Sequence, residues 1–338
     1  MGQAYGAKLR AAIVIMALSV MALSVADPIR AQSPVSEAPP PTEAAQICVV
    51  VPHFKDEYWL SVGHGLIEEA RAQNVGLLTF ESGGYHALIR QIDLLDSCVR
   101  SGARAILLGA VSADDPRLLE AVDRTARDVP VIALVNALHS PALSGSVGVD
   151  WTDMGRAIGR HLSARYPAGG PTRTALLITG PAASGWSPLL EKGLAEAMAA
   201  SAVKIARIGR SDTGAREQLR ATEAALATTP DANMIIGSAP AIEGAMGLAA
   251  VTNSTFPELI ATYISHSVRR GLQNGTVQAV AFDDPVAQGR LGIRLALIAK
   301  PGLFRTDVIG PEIKLITTDN ITQIPVPLSP AGLNLGLE

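Results

Sequence analysis

CVVVPHFKDEYWLSVGHGL, residues 48–66, reads as a buried strand that ends in a polar turn and passes into a helix. Val49–Val51 is a run of β-branched residues, which favour the pleated strand. Tyr58 and Trp59 stand side by side where the helix begins. Aromatic residues make up only 4% of the chain, with three Trp and five Tyr, so their placement is informative. Trp151 directly follows a second strand (VGVDW, 147–151), Tyr85 a third (LLTFESGGY, 77–85), and Tyr263 lies at the end of a fourth (ELIATYIS, 258–265). In open α/β sheets, ligands occupy the crevice beyond the carboxyl ends of the strands. Scarce aromatics gathered at strand ends point to the walls of a ligand pocket; core filling would place them within strands and on helix faces.

Outward from that stretch the chain alternates short apolar runs with amphipathic segments of ten to sixteen residues. Strands are expected at Gly76–Phe80, Ala105–Leu108, Pro130–Val135 and Val147–Asp150, with helices over Trp59–Gln73, Tyr85–Ser101 and Pro116–Asp128. A second series follows, with strands at Thr174–Thr179, Val203–Ile208, Met234–Gly237, Leu259–Ser265, Val277–Phe282 and Ile313–Thr318. Helices at Met154–Arg165, Leu189–Ala200, Ala215–Thr228, Ala241–Val251, His266–Gly275 and Val286–Ala299 separate them. This is the pattern of parallel sheets covered on both faces. The expected fold is α/β: two Rossmann-like lobes of doubly wound parallel sheet around a central cleft. Residues 46–150 plus 283–310 form the first lobe, and 151–282 plus 311–330 the second.

Ahead of the lobes, Lys8 and Arg10 precede an apolar run, Ala11 to Ala26, ending in small residues. That is the layout of a secretory signal peptide over 1–31, with an uncleaved anchor as the alternative. Residues 32–45 (QSPVSEAPPPTEAA) have the composition of a disordered leader. Without Lys8, Arg10, Arg30 and Asp27 the chain keeps 25 basic and 30 acidic residues, a net charge of −5. No basic run is left to attract nucleic acid or an anionic membrane, and no direct membrane insertion is expected after cleavage. An exported chain with two cysteines, Cys48 and Cys98, permits either a disulfide or two buried thiols.

Compact catalytic signatures are missing. The sequence has no G-x-S-x-G elbow, no G-x-x-x-x-G-K-[ST] and no G-x-G-x-x-G, and its six His show no zinc-binding spacing. Neither metal, cofactor nor catalytic residue is expected.

Several segments resemble the type I periplasmic binding proteins: PHFKDEYWLSVGHG (52–65), SGGY (82–85), LGAV (108–111), VGVDWTDMG (147–155), IIGSAPAIEGA (235–245), YISHSVRRGL (263–272) and QGRL (288–291). The pairing of K-D-x-Y-W with V-G-V-D-W narrows the likeness to members that sense trimethylamine N-oxide (TMAO) and partner the periplasmic domain of a membrane histidine kinase. The resemblance implies a small ligand held between the lobes, with Trp59, Trp151, Tyr85 and Tyr263 at the pocket positions and Asp56 and Tyr58 beside them. Aromatic faces suit the polarised methyls of TMAO, and Trp or Tyr hydrogens suit its oxygen. Asn136 and Ser238, at strand ends, are further donors for that oxygen. Six of them have a plainer reading: Asp56 as a helix N-cap, Tyr58 as packing for Trp59, Trp59 as a helix-start residue packed on the sheet, Tyr85 as a loop residue, Tyr263 and Trp151 as core or hinge packing. Glu243 reads as a surface or capping charge, Trp186 as a lobe-surface residue, and His53 and His64 as lining without ligand contact. The function alternatives are a transporter's receptor for a sugar and, from another class, a periplasmic enzyme or chaperone.

Overall fold

The computed structural model describes residues 46–252 and 255–337; the expected signal peptide and leader lie outside them. The first sheet is built from β1 (Gln46–Val51), β2 (Gly76–Glu81), β3 (Ala105–Leu108), β4 (Val131–Val135) and β5 (Gly145–Gly148). Between these strands run α1 (Glu57–Ala72), α2 (Leu88–Arg100) and α3 (Pro116–Thr125). The chain then crosses to the second lobe: α4 (Trp151–Arg165), β6 (Arg173–Thr179), α5 (Ser187–Met198), β7 (Val203–Arg210), α6 (Ala215–Thr228), β8 (Met234–Gly237), α7 (Ala239–Val251), β9 (Glu258–Ala261), α8 (His266–Gln273) and β10 (Val277–Phe282). Finally α9 (Pro285–Ile298) and β11 (Val308–Ile309) return to the first lobe, and β12 (Lys314–Thr317) ends in the second.

The strand orders are β11-β5-β4-β3-β1-β2 and β12-β10-β9-β8-β6-β7. All pairings are parallel except β10 with β12, which is antiparallel. Strands β3, β4 and β8 are buried from end to end and β1 from Ile47 onward, as expected where helices cover both faces. Close helix pairs make this possible. A Cβ on Gly65 of α1 would lie 2.0 Å from the Val286 carbonyl oxygen of α9, and one on Gly193 of α5 would lie 1.8 Å from that of Thr152 in α4. Among the described residues no helix is long and apolar enough to cross a membrane.

Cys48 of β1 and Cys98 of α2 form a disulfide, with Cα atoms 5.7 Å apart. Helix α2 starts at Leu88, three residues later than the sequence pattern predicts. The Tyr85 amide is drawn away to Asp212 of the second lobe, so Tyr85 stands in the loop before the helix. Beyond β12 the tail crosses back over the first lobe. The Ser329 amide donates to Ser61 Oγ at 3.2 Å, and Leu337 bridges to Thr79 on the edge strand β2.

Candidate functional site

The cleft between the two sheets closes into a small cage lined by Asp56, Tyr58, Trp59, Tyr85, Val135, Asn136, Trp151, Trp186, Thr213 and Tyr263. Each enters from the carboxyl end of a strand or the start of the next helix. Asp56 is the N-cap of α1: its Oδ1 accepts the Tyr58 amide at 3.0 Å, which sets Tyr58 and Trp59 in the first helical turn. Asp150 caps α4 in the same way and places Trp151 at its first position. Two glycines at strand ends seat two indoles, one in each lobe. A Cβ on Gly109 would lie 2.6 Å from Trp59 Cη2, and one on Gly180 would lie 2.2 Å from Trp186 Cζ2.

The rings meet mostly edge to face, the arrangement their quadrupoles favour. Tyr58 and Tyr263 are 5.2 Å apart between centroids and inclined at 70°, and Trp186 and Tyr263 are 5.7 Å apart at 88°. Trp151 lies 5.5 Å from Trp186. The space left among them is about 10 Å³ as measured at the centre of a water-sized sphere. A space of that size holds about one water, so only a compact ligand enters without moving the walls.

The hydrogen bonds decide which cage groups can still serve a ligand. Tyr58 OH donates to Asp283 Oδ2 at 2.6 Å and accepts from Gln288 Nε2. Tyr263 OH donates to Asp56 Oδ2 at 2.6 Å. Trp151 Nε1 donates to the Val135 carbonyl at 3.0 Å. Those three groups spend their hydrogens within the protein. Tyr85 OH instead accepts from Asn136 Nδ2 at 3.1 Å, so its own hydrogen is left for a ligand acceptor. Asn136 Nδ2 gives its second hydrogen to the Ala110 carbonyl at 2.8 Å. Asn136 therefore orients Tyr85 and has no spare hydrogen for a ligand oxygen; its buried Oδ1 is the atom without a partner.

Two carboxyls are buried here. Burial pushes Asp56 up to about 6, against the hydrogen bonds from Tyr263 and the Tyr58 amide. Burial likewise raises Asp283 to about 6, opposed by Tyr58 and Gln288. Tyr58 and Tyr263 are raised well above the usual phenol range by burial and by the neighbouring carboxylates. Burial also raises Tyr85, against its bonds with Asn136 and Trp59. The tyrosines are thus neutral, and Asp56 is the carboxyl that lines the cage itself, held above the ordinary aspartate value by burial.

Asp212 of the second lobe ties the lobes at the rim. It accepts from His53 Nε2 at 3.0 Å and from the Tyr85 amide at 3.0 Å. Burial works to raise this carboxyl, and the contacts with His53, Tyr85 and Thr213 hold it below the ordinary value. Gly84, at φ +142°, is needed for the approach: a Cβ there would lie 2.3 Å from Asp212 Oδ2.

Seven of the eight residues singled out in the sequence come together in the cage, and Ser238 does not. Its hydroxyl accepts the Ala241 amide as the α7 N-cap and donates to Gln218 Oε1 at 2.8 Å, so it is consumed inside the second lobe. Trp186 is the principal correction, because it is 3% exposed and forms a cage wall. Glu243 is half-buried; it accepts from Ser265 Oγ at 2.7 Å, and burial pushes it up to about 7. His53 is fully buried and ties the lobes together, while His64 lies on α1 outside the cage. The sequence reading missed Val135, Thr213, Asp212 and Asp283. A Gly after a strand, as at Gly180, with a Trp a few residues on, was the readable signal for Trp186. Among the described residues no three His, Cys, Asp or Glu are grouped to hold a metal ion.

Residues 47–300 match the periplasmic binding protein domain family. The periplasmic protein TorT of Escherichia coli strain K12 is 35% identical over 291 residues, covering 86% of this chain and 83% of that one. The solved complex of the TorS sensor domain with TorT in the presence of TMAO superposes with a TM-score of 0.73 at 31% identity, over 87% of this chain and 99% of that one. A transporter solute-binding protein from Bradyrhizobium sp. BTAi1 with bound bis-tris superposes with a TM-score of 0.69 at 32% identity, over 88% and 91%.

Proposed function

Because the chain belongs to the periplasmic binding protein family, we propose that it is a periplasmic, non-catalytic sensor that closes on TMAO and signals to the sensor domain of a membrane histidine kinase. The observation that carries this reading is the cage itself: aromatic faces on several sides, one buried carboxyl, one free phenol hydrogen and room for a single compact molecule. TMAO carries three methyls on a formally positive nitrogen and one anionic oxygen. Its methyls suit the ring faces of Trp59, Trp151, Trp186 and Tyr263, a contact type worth roughly 0.5–2 kcal/mol per ring. Ionised Asp56 complements the positive nitrogen, and the oxygen is directed to the Tyr85 hydroxyl, away from that carboxylate. The ligand sites proposed are therefore Asp56, Tyr58, Trp59, Tyr85, Trp151, Trp186 and Tyr263, with Asn136 positioning Tyr85.

The lobe division proposed is 46–150 plus 283–310 against 151–282 plus 311–330. A ligand gripped from both sides binds the closed form better than the open one, and that difference in affinity shifts the equilibrium. The similarity to TorT in complex with the TorS sensor domain supports a kinase as the reader of the closed surface. The similarity to a transporter solute-binding protein supports a second reading, delivery of a small solute to a permease. A pentose has about twice the heavy atoms of TMAO and needs a pocket of several hundred Å³ with several convergent polar groups. Calorimetry of the mature chain against TMAO, trimethylamine, betaine and ribose tests the proposal. One-to-one TMAO binding with ribose silent is expected; ribose binding with TMAO silent would favour the transporter reading.

A further inference from the structure

Val135 closes strand β4 with φ +68°. For a β-branched residue this left-handed conformation is a true outlier, because Cβ crowds the neighbouring carbonyl. The Asn136 amide donates to the Leu134 carbonyl across it at 2.8 Å, the i to i+2 bond of a strained γ-turn. The turn swings the Val135 carbonyl toward Gly148 on β5, where a Cβ would approach it to 2.9 Å.

Three cage walls depend on this turn. The displaced Val135 carbonyl accepts from Trp151 Nε1 at 3.0 Å, and Asn136 Nδ2 holds the Tyr85 hydroxyl at 3.1 Å. The next amide, Ala137 N, donates to the Gly185 carbonyl of the second lobe at 3.1 Å, in the loop that carries Trp186. Gly185 fits there only as glycine, since a Cβ would lie 2.0 Å from the Ala137 carbonyl oxygen. Strain of this kind persists only where surrounding contacts hold it in place, and it gathers at ligand clamps and switch regions.

We propose that Val135 is a positioning residue under load: its strained turn aligns Trp151 and Tyr85 with the second-lobe loop, and docking of that loop on Ala137 sustains the strain. Lobe closure therefore works against the turn, so the strain lowers ligand affinity and keeps the ligand-free chain biased toward the open form. Glycine adopts a positive φ without this penalty, whereas alanine removes the valine side chain and retains most of it. The difference between Val135→Gly and Val135→Ala isolates the strain from the loss of side-chain packing. Any change in the unfolded chain cancels too, because both the open and closed forms are folded.

The test uses both variants of the mature chain, with TMAO as the probe and small-angle scattering of the ligand-free protein alongside. It rests on the TMAO reading for its calorimetric arm only. Val135→Gly is expected to bind TMAO about five- to tenfold more tightly than Val135→Ala and to be the more compact of the two without ligand. In a Gly185→Ala background, where the loop cannot dock, that difference should fall below about twofold, as a double-mutant cycle requires of coupled sites. Equal affinity and equal compaction of the two variants would overturn the proposal. So would a glycine variant that is merely more heat-stable, which would place the strain in open and closed forms alike. If the wild-type chain ignores TMAO, the ligand assignment fails while the scattering arm still decides the role of Val135.

Discussion

The two lobes share one architecture and bring different things to the cage. The first lobe contributes a platform whose parts are fixed by its own contacts. Asp56 is anchored as a helix cap and Trp59 is seated on Gly109, while Tyr85, held by Asn136 and by Asp212, is the one platform residue whose alignment depends on closure. Its sheet and helix layer are also stapled by the Cys48–Cys98 disulfide. The second lobe contributes Trp186 and Thr213 from loops and Tyr263 from the end of β9, and several of its cage contacts are made to the first lobe. Tyr263 reaches Asp56, Asp212 reaches His53 and Tyr85, and Gly185 reaches Ala137. The first lobe is a preformed half-site and the second a lid that becomes a wall on closing. Pre-organisation of one side confines the ordering cost of binding to the other.

The widest separation between the halves is expected from the two indoles. Trp59 belongs to the first-lobe core as well as to the cage, so Trp59→Ala should lower ligand-free stability by about 3 kcal/mol, in the usual range for a buried aromatic truncation. Trp186→Ala should cost less in the ligand-free protein, about 1–2 kcal/mol, because opening already exposes the cage face of the ring while its packing on Gly180 remains. Both should weaken TMAO binding at least about tenfold. Chemical denaturation paired with calorimetry checks this, and equal destabilisation by the two would erase the platform–lid distinction.

A smaller effect separates the two buried carboxyls. Asp283 lies behind the cage, clamped by Tyr58 and Gln288. An aspartate ordinarily ionises at 3.8, and burial pushes this one to about 6. Between those values the folded chain holds a proton that the unfolded chain has released, so stability falls as pH rises through that window. The loss is complete above about pH 6 and amounts to at most about 3 kcal/mol. Asp283→Asn should flatten this part of the pH–stability curve while leaving the Asp56 part, and an unchanged slope would show that Asp283 is ionised throughout.

What could be read from the sequence follows the same division. The platform was legible because its residues are neighbours in sequence: a strand, a cap and two aromatics occupy one short run from Cys48 to Trp59. The alternation of strands and helices was legible for the same reason, since buried parallel strands carry their pattern locally. The lid was not. Asp212 reaches the first lobe over Gly84, and the Trp186 loop reaches Ala137 at Gly185, contacts that join segments far apart in the chain; for Trp186 itself only the nearby Gly180 gave a local signal. Ser238 was misplaced because a strand-end serine reads equally as a ligand donor or a helix cap, and Gln218, twenty residues away, decides for the cap. The cysteine pairing stayed open because β1 and α2 meet only through the packing of the helix on the sheet.

A two-sided cage requires that TMAO draw the lobes together through both halves. Small-angle scattering of the mature chain with and without saturating TMAO measures this, with Tyr263→Ala and Tyr263→Phe as comparisons. Wild type should compact on ligand addition. Tyr263→Phe should compact with an affinity loss of about 1.5–3 kcal/mol, the range for a hydrogen bond to a charged group, here Asp56, and Tyr263→Ala should compact least, even at saturation. Equal compaction of wild type and Tyr263→Ala at saturating TMAO would contradict the two-sided cage and leave a site held by the first lobe alone.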